Sequence, residues 1–491
     1  MKKDIFKRLA KDTGIYGISS ILARTLNFFL LPIYTRLLSE GSYGIYTEIF
    51  AYIALIQIVL IFGMETGFFR FASLDGYDSG KVFSTISCFM LIVSLAFFGL
   101  CFFFVNEIAL NKSYYPIAVI YAAGILSIDT FTSIFFARLR YERKAMKFAI
   151  YRSIKILFEI FFNLLFLYLL PKYFASHPQS TLLIFFTPKA SYVYILAAVF
   201  CSCIVSILLF LPEIICTKYR IYFPYFKPLL IYSFPLMLAG LQGTLNDFVD
   251  RYLFRYFAPE NEYSWDEQLG IFGAAAKLAV LMSLFVQMFR YAAEPYFFSE
   301  TSKLDIKPVY AKVTKYFTIF CIIIFLAINF YSDILQYILD QKFRSGMIVL
   351  PTMLFAYMLS GINQNVSMWY KLASKTKIAM LVTFVGLLTS ITVNVLFMPI
   401  YSYKAAAWGH VASYMVMILI NWQLSKRYYK IPYQWSSIIL YLTLGIILFF
   451  ASRIMETSSM LLNLILYSGL LLLFIFFVIK KEKIISYYKQ I

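Results

Sequence analysis

The sequence predicts an all-α integral membrane protein: about fourteen transmembrane helices in two six-helix lobes related by a parallel pseudo-twofold repeat, plus two C-terminal helices. Three observations carry this. First, 61% of the 491 residues are hydrophobic and only 14% are charged, so a soluble fold of this length would have too little polar surface to cover itself. Second, the apolar residues fall in stretches near the roughly 20 residues that span a bilayer, divided by short polar turns. They lack the in–out alternation of a membrane β-barrel. Third, the chain contains a diverged duplication. Thr25-Leu26-Asn27-Phe28-Phe29 followed by Arg36 returns as Thr244-Leu245-Asn246-Asp247-Phe248 followed by Arg255, and Tyr43-Gly44-Ile45-Tyr46 returns as Leu269-Gly270-Ile271-Phe272.

Helix one is centred near Leu26, behind the basic, amphipathic start Met1-Lys2-Lys3-Asp4-Ile5-Phe6-Lys7-Arg8. Arg24 and Asn27 interrupt it, and it is too long for a cleaved signal segment, so it reads as a retained helix. Helices two to six, centred near Leu55, Leu95, Gly124, Leu164 and Cys203, complete an N-lobe over residues 1–216. Residues 217–228 carry Lys218, Arg220, Pro224 and Lys227 among Tyr219, Tyr222, Phe223, Tyr225 and Phe226. They read as a linker on the inner membrane surface, since aromatic rings favour the headgroup level. Helices seven to twelve, near Gly240, Met282, Ile324, Leu359, Leu388 and Met415, form a C-lobe over 229–427. Helices thirteen and fourteen, near Gly445 and Leu470, and a basic tail occupy 428–491 and have no counterpart in the repeat. The halves also match at Asn163 and Asn394, and at Ala137-Arg138-Leu139 and Tyr370-Lys371-Leu372, each before a basic turn. Both lobes enter from the same side, so the repeat axis runs along the membrane normal. The longest connections, around 171–189 and 259–268, leave no room for an extramembrane catalytic domain.

The net charge of +19 would suit nucleic acid if it formed one patch. Instead the cations alternate by side. Lys2, Lys3, Arg70, Lys81, Arg138, Arg140, Lys147, Lys218, Arg220, Lys227, Lys312, Lys315, Lys426, Arg427 and Lys480 fall on one side of the spans. The acidic cluster Glu260, Glu262, Asp266 and Glu267 falls on the other. This is the positive-inside asymmetry. It places both termini in the cytoplasm and accounts for the basic charge without nucleic acid. The six cysteines lie in or beside apolar stretches without metal spacing and read as buried free thiols. No cofactor motif, Walker A loop, metal cluster or catalytic constellation is legible, so the energy for any transport must come from a gradient, the membrane potential or consumption of the substrate elsewhere.

Charged side chains within spans are costly and mark polar paths. Arg24 in helix one and Lys277 in helix eight have no acidic residue three or four positions away and are substrate-binding candidates, with Arg290. Asn27, Gln242 and Asn246 are polar candidates on helices one and seven. Asp129, read as a carboxylate without a partner among Ser127, Thr130, Thr132 and Ser133, is an ion-coupling candidate together with Asp247 and Asp250. The spacings Lys155–Glu159, Asp247–Arg251 and Arg290–Glu294 permit local ion pairs on one helix face. Asn363-Gln364-Asn365 reads as an interhelical hydrogen-bonding patch and His410 as a packing residue.

The run Leu30-Leu31-Pro32-Ile33-Tyr34-Thr35-Arg36-Leu37-Leu38, Tyr43-Gly44-Ile45-Tyr46, Asp250-Arg251, and Asn394 through Pro399 leading to Ala405-Ala406-Ala407-Trp408-Gly409 resemble the Wzx-type polysaccharide flippases of the multidrug/oligosaccharidyl-lipid/polysaccharide (MOP) exporter superfamily. Tyr403 and Ala406 stand where that family usually has glycines in the last turn. The resemblance implies a V-shaped pair of lobes with helices one, two, seven and eight lining a cleft. It also implies alternating access, a bacterial cytoplasmic membrane location and a lipid-linked oligosaccharide as substrate. That substrate would be an undecaprenyl-diphosphate carrier bearing an O-antigen, capsule or exopolysaccharide unit, with glycan polymerase and glycosyltransferases as partners. Related lipid II flippases carry cleft cations on helix two, whose middle here has none, which favours another glycan. Three alternatives stay open: a multidrug exporter of the same superfamily, a membrane glycan polymerase or glycosyltransferase with Glu260 and Glu262 as its only candidate acids, and a scaffold for glycan assembly.

Overall fold

The computed structural model describes residues 28–177, 191–260, 262–300, 306–372 and 376–482. Among these there is no strand. The first helices are α1 (Leu31–Leu37), α2 (Glu40–Ile61), α3 (Met64–Ala72), α4 (Ser79–Phe103), α5 (Val105–Lys112), α6 (Pro116–Tyr141), α7 (Ala145–Leu164) and α8 (Leu170–Ser176). Next come α9 (Ser191–Cys216), α10 (Phe223–Phe257), α11 (Trp265–Glu300), α12 (Ile306–Phe330) and α13 (Ser332–Leu335). The rest are α14 (Leu350–Val366), α15 (Met368–Leu372), α16 (Thr376–Tyr401), α17 (Tyr403–Tyr428), α18 (Trp435–Ile454) and α19 (Met460–Lys481). Twelve spans among the described residues are long and apolar enough to cross a bilayer. α17, at 26 residues, is long enough but more polar, carrying Lys404, His410, Ser413 and Asn421. The centre of helix one lies outside the described residues.

The chain divides into two compact units, Met1–Arg255 with Asn261–Gly270, and Tyr256–Glu260 with Ile271–Ile491. In the first, α4 packs on α6, α6 and α7 pack on α9, and α2 crosses α6 and α9. The core at one end is aromatic: Phe68, Phe71, Phe83, Phe131, Phe135 and Phe210 close around Leu229 of α10. α2 and α3 form one span broken at Phe62 and Gly63, whose φ angles of 54° and 70° are left-handed. Gly63 is needed there twice over, because a Cβ would sit 2.8 Å from the Ser233 carbonyl oxygen of α10. The break turns the short, amphipathic α3 so that it presents Glu65 and Arg70. The connection from α9 narrows to 217–222, and Phe223 already begins α10. Ser84 and Thr85 at the start of α4 tie it down, Ser84 Oγ donating to the Lys218 carbonyl and Thr85 Oγ1 accepting from the Tyr222 amide.

The glycines of the duplicated motif meet each other. A Cβ on Gly44 would collide with the Asp266 carbonyl oxygen and lie 3.0 Å from the Gly270 nitrogen; a Cβ on Gly270 would collide with the Glu40 carbonyl oxygen and lie 3.0 Å from the Gly44 nitrogen. In each case the obstructing carbonyl belongs to the residue four before the partner glycine, so the start of α2 and the start of α11 cross reciprocally. Without side chains at these two positions the backbones reach contact, the small-residue packing that drives helix association in lipid.

In the second unit α16 and α17 form the tightest hairpin, α14 packs on α17, and α12 is covered by α14, α18 and α19. Gly386 and Gly409 let α16 and α17 close on Met417 and Asn394. The equivalent asparagines make the same bond in each unit: both are fully buried, Asn163 Nδ2 donating to the Glu159 carbonyl and Asn394 Nδ2 to that of Ser390, each at 2.8 Å. Glu482, just past α19, accepts from Lys315 of α12 and from Tyr441 of α18, the latter at 2.7 Å, fastening the last two helices to α12. The outer faces stay apolar, with Leu95 and Phe103 of α4, Leu208 of α9, Leu381 of α16 and Leu472 of α19 exposed. Such helices bury one face in protein and give the other to lipid.

Candidate functional site

Arg24 and Asn27 lie outside the described residues. Three of the four nominated residues of α10 fall on one helix face, because Gln242, Asn246 and Asp250 are spaced by four. Asn246 and Asp250 are buried. The Gln242 carbonyl oxygen is buried with no hydrogen-bond partner among the described residues. Beside them the Arg251 guanidinium lies 4.3 Å from the centre of the Phe248 ring, a cation–π contact suited to a desolvated arginine. Asp247 is exposed on another side of the helix. On α11, Lys277 and Arg290 are half-buried. Thirteen residues separate them, about 20 Å along a helix and well round its circumference, so they cannot grip one group together. The side chain of Glu294, the local partner that spacing offers Arg290, lies outside the described residues.

Asp129 departs from the sequence reading. It is not without a partner: the Lys155 ammonium of α7 donates to its carboxylate at 2.5 Å, and the buried Cys203 thiol of α9 lies 3.4 Å from the same oxygen. The i,i+4 rule looks only along one helix, and here a partner 26 residues away reaches Asp129 across the α6–α7 pair.

Sequence reasoning missed a second charge cluster. Glu48 of α2 has no exposed surface and takes the Arg255 fork through Nε at 2.9 Å and Nη2 at 2.6 Å. The Tyr114 hydroxyl donates to Glu48 at 2.5 Å. Burial first, then the Glu48 charge and this hydrogen bond, hold the Tyr114 phenol well above its ordinary range, so it stays a donor. Arg255 also donates to the Lys112 carbonyl at 3.1 Å and stacks on Trp265 at 4.0 Å. One turn earlier, Tyr252 donates to the Ala51 carbonyl at 2.6 Å and its ring packs on Tyr52. This knot ties α2, the loop after α5, the end of α10 and the start of α11, next to the Gly44–Gly270 crossing. Glu48 in the first half of helix two and Arg255 ending helix seven were the signal available.

Several of the first unit's cations pair with acids. Arg140 bonds Glu65 at 2.6 Å, Lys147 pairs with Glu213, and Arg138 and Lys144 hold Glu142. Asn363 accepts from Asn421 of α17 at 3.0 Å, an interhelical bond as expected, and buried His410 stacks on Tyr414. The thiols need correction: all six are free, but only Cys203 and Cys321 are buried, while Cys216 is exposed. It sits at the last residue of α9, where the helix ends.

Residues 9–302 match the model of the family described as "Polysaccharide biosynthesis protein", more than half of the sequence. The chain belongs to that family. No curated relative matches it by sequence. Among solved structures it is similar to the lipid II flippase MurJ in an inward closed conformation, at a TM-score of 0.71 and 13% identity, over 94% of this chain and 98% of that one. It is also similar to a multidrug resistance MATE family transporter of the MOP superfamily, inward-facing, at 0.60 and 13% identity over 82% and 94%, and outward-facing, at 0.53 and 15% over 86% and 94%. The fold is therefore that of the MOP-type transporters, and the chain is a multi-pass membrane protein.

Proposed function

We propose that this protein is a flippase that carries an undecaprenyl-diphosphate-linked oligosaccharide from the inner to the outer leaflet of a bacterial cytoplasmic membrane by alternating access. The observation that carries the reading is the family match over 9–302 on a chain with a MOP-type transporter fold. The chemistry agrees. Neither a glycan nor a diphosphate crosses hydrocarbon unaided, and both require a polar path whose cations meet phosphate. Arg24 would meet the diphosphate through its planar fork, and Lys277 and Arg290, far apart on α11, would act at different stages of the passage. Asn27, Gln242 and Asn246 would bond sugar hydroxyls; the buried carbonyl oxygen of Gln242 is an acceptor with its capacity unused. Both termini face the cytoplasm, and Asp247, Asp129 and Asp250 are the carboxylates for coupling to an ion. Glycosyltransferases would supply the substrate and a glycan polymerase consume it. The family match favours a glycan over a drug as cargo.

The experiment is glycan export in cells that depend on this protein. Arg24→Ala should abolish export while the protein remains inserted at wild-type level, and Arg24→Lys should retain more, since the charge survives without the fork. Full export by a stably expressed Arg24→Ala protein would overturn the assignment.

A further inference from the structure

α3 and the first turns of α10 border an open, shallow cleft of about 700 Å³ lined by Arg70, Phe71, Lys227, Ile231, Tyr232 and Leu236, with Pro228 and Pro235 between them. It lies wholly within the first unit, at the end where Arg138, Arg140 and Lys147 gather. Three features give it a chemical character. Its walls are mainly apolar, and Ile231 stays 65% exposed. Its two charges are both cations; of the two acids five residues from Arg70, Glu65 is already bound to Arg140 at 2.6 Å and Asp75 is not among the lining residues. Arg70 is held in place, its guanidinium 4.4 Å from the centre of the Tyr232 ring, while Phe71 packs against the same ring edge-on. Stacking occupies the face of a guanidinium and leaves its N–H edge available. A free anion in water has no use for the apolar wall, and a neutral lipid has none for the cations.

We propose that this cleft seats the phosphate of a membrane amphiphile, a phosphate ester on a hydrocarbon chain, at headgroup level. Arg70 and Lys227 hold the phosphate oxygens. The hydrocarbon chain would run along the apolar side of α10 past Ile231 and Phe234, both exposed. Two membrane components share this chemistry, an anionic phospholipid and a polyprenyl-diphosphate carrier. Only the naming of the carrier, and the assignment of this end to the cytoplasm, rest on the flippase reading; the site itself does not.

The test is lipid retention by native mass spectrometry of the full-length protein, released from detergent with phosphatidylcholine, phosphatidylglycerol or a polyprenyl diphosphate. The comparison is wild type against Arg70→Gln/Lys227→Gln, both side chains being exposed, so that the fold is not at stake. Phosphatidylcholine retention should be unchanged. Retention of at least one anionic lipid should fall about thirtyfold in the double variant, the factor for two cations at a membrane surface. Stronger retention of the polyprenyl diphosphate names the carrier; stronger retention of phosphatidylglycerol names the bulk lipid. Equal retention of both anionic lipids by wild type and double variant overturns the site. So does their displacement by inorganic phosphate alone, because the cleft would then read only the ion. Since retention is measured without flipping, its outcome is independent of the export result for Arg24→Ala.

Discussion

Arg255 holds a carboxylate that has no access to water. Glu48 has no exposed surface and Arg255 has little, so removing one partner strands a buried charge, which costs about 3–5 kcal/mol. Arg255→Ala should therefore lower the thermal unfolding temperature in detergent strongly. Adding Glu48→Gln should recover much of the loss, because an amide tolerates burial where a lone carboxylate does not. Strictly additive losses in the double variant would show that the pair is not coupled. Asp129 and Lys155 pose a different question, whether a paired carboxylate still couples transport. Asp247, exposed on α10, is the contrasting candidate. In a reconstituted flipping assay with imposed gradients, Asp247→Asn should keep substrate binding but lose gradient dependence, and an unchanged gradient response would remove it from coupling. The sequence displayed every one of these charged residues. It did not display the pairings, because the i,i+4 rule sees one helix at a time, and Lys155–Asp129 and Arg255–Glu48 both join different helices.

Between helices, the reciprocal crossing of α2 and α11 depends on two missing Cβ atoms. Gly44→Ala and Gly270→Ala each place a methyl on a backbone carbonyl that cannot move without its helix. Each should cost about 1–3 kcal/mol by overpacking. Gly99→Ala on α4, with open space around it, should be neutral or slightly stabilising through helix propensity. Wild-type stability in either crossing variant would contradict the close approach. The clamp at Glu482 sets a pH dependence. Burial alone raises its carboxyl, but hydrogen bonds from Lys315 and Tyr441 and the Lys315 charge outweigh that and hold it below the usual carboxylate range. A lowered folded value means the stabilisation is complete above the ordinary carboxylate pKa and is lost as pH falls through the folded value. Unfolding temperature should thus drop on acidification, and Glu482→Gln should flatten that acid limb; an equally steep limb in the variant would exclude Glu482 as its source. The spans and the repeat were legible because apolar length and recurring motifs are written linearly. The break at Phe62–Gly63 was not, since Gly63 is one glycine in an apolar run and what demands it is a carbonyl of α10.

At the scale of the molecule, the charge asymmetry predicts a topology. Single cysteines at positions 142 and 262, in a background without the native thiols, should label from the cytoplasmic and outer sides respectively; labelling from one side only would refute the arrangement. The central claim is movement of a lipid-linked glycan. It is tested most directly in proteoliposomes holding only this protein and a polyprenyl-diphosphate oligosaccharide labelled on the sugar, by following how much label becomes accessible to an impermeant sugar-modifying enzyme outside. The account predicts that accessibility rises from the one-leaflet level toward complete modification with the wild-type protein, and stays at the one-leaflet level with Arg24→Ala. Accessibility at the protein-free level with folded wild-type protein under every imposed gradient would contradict it.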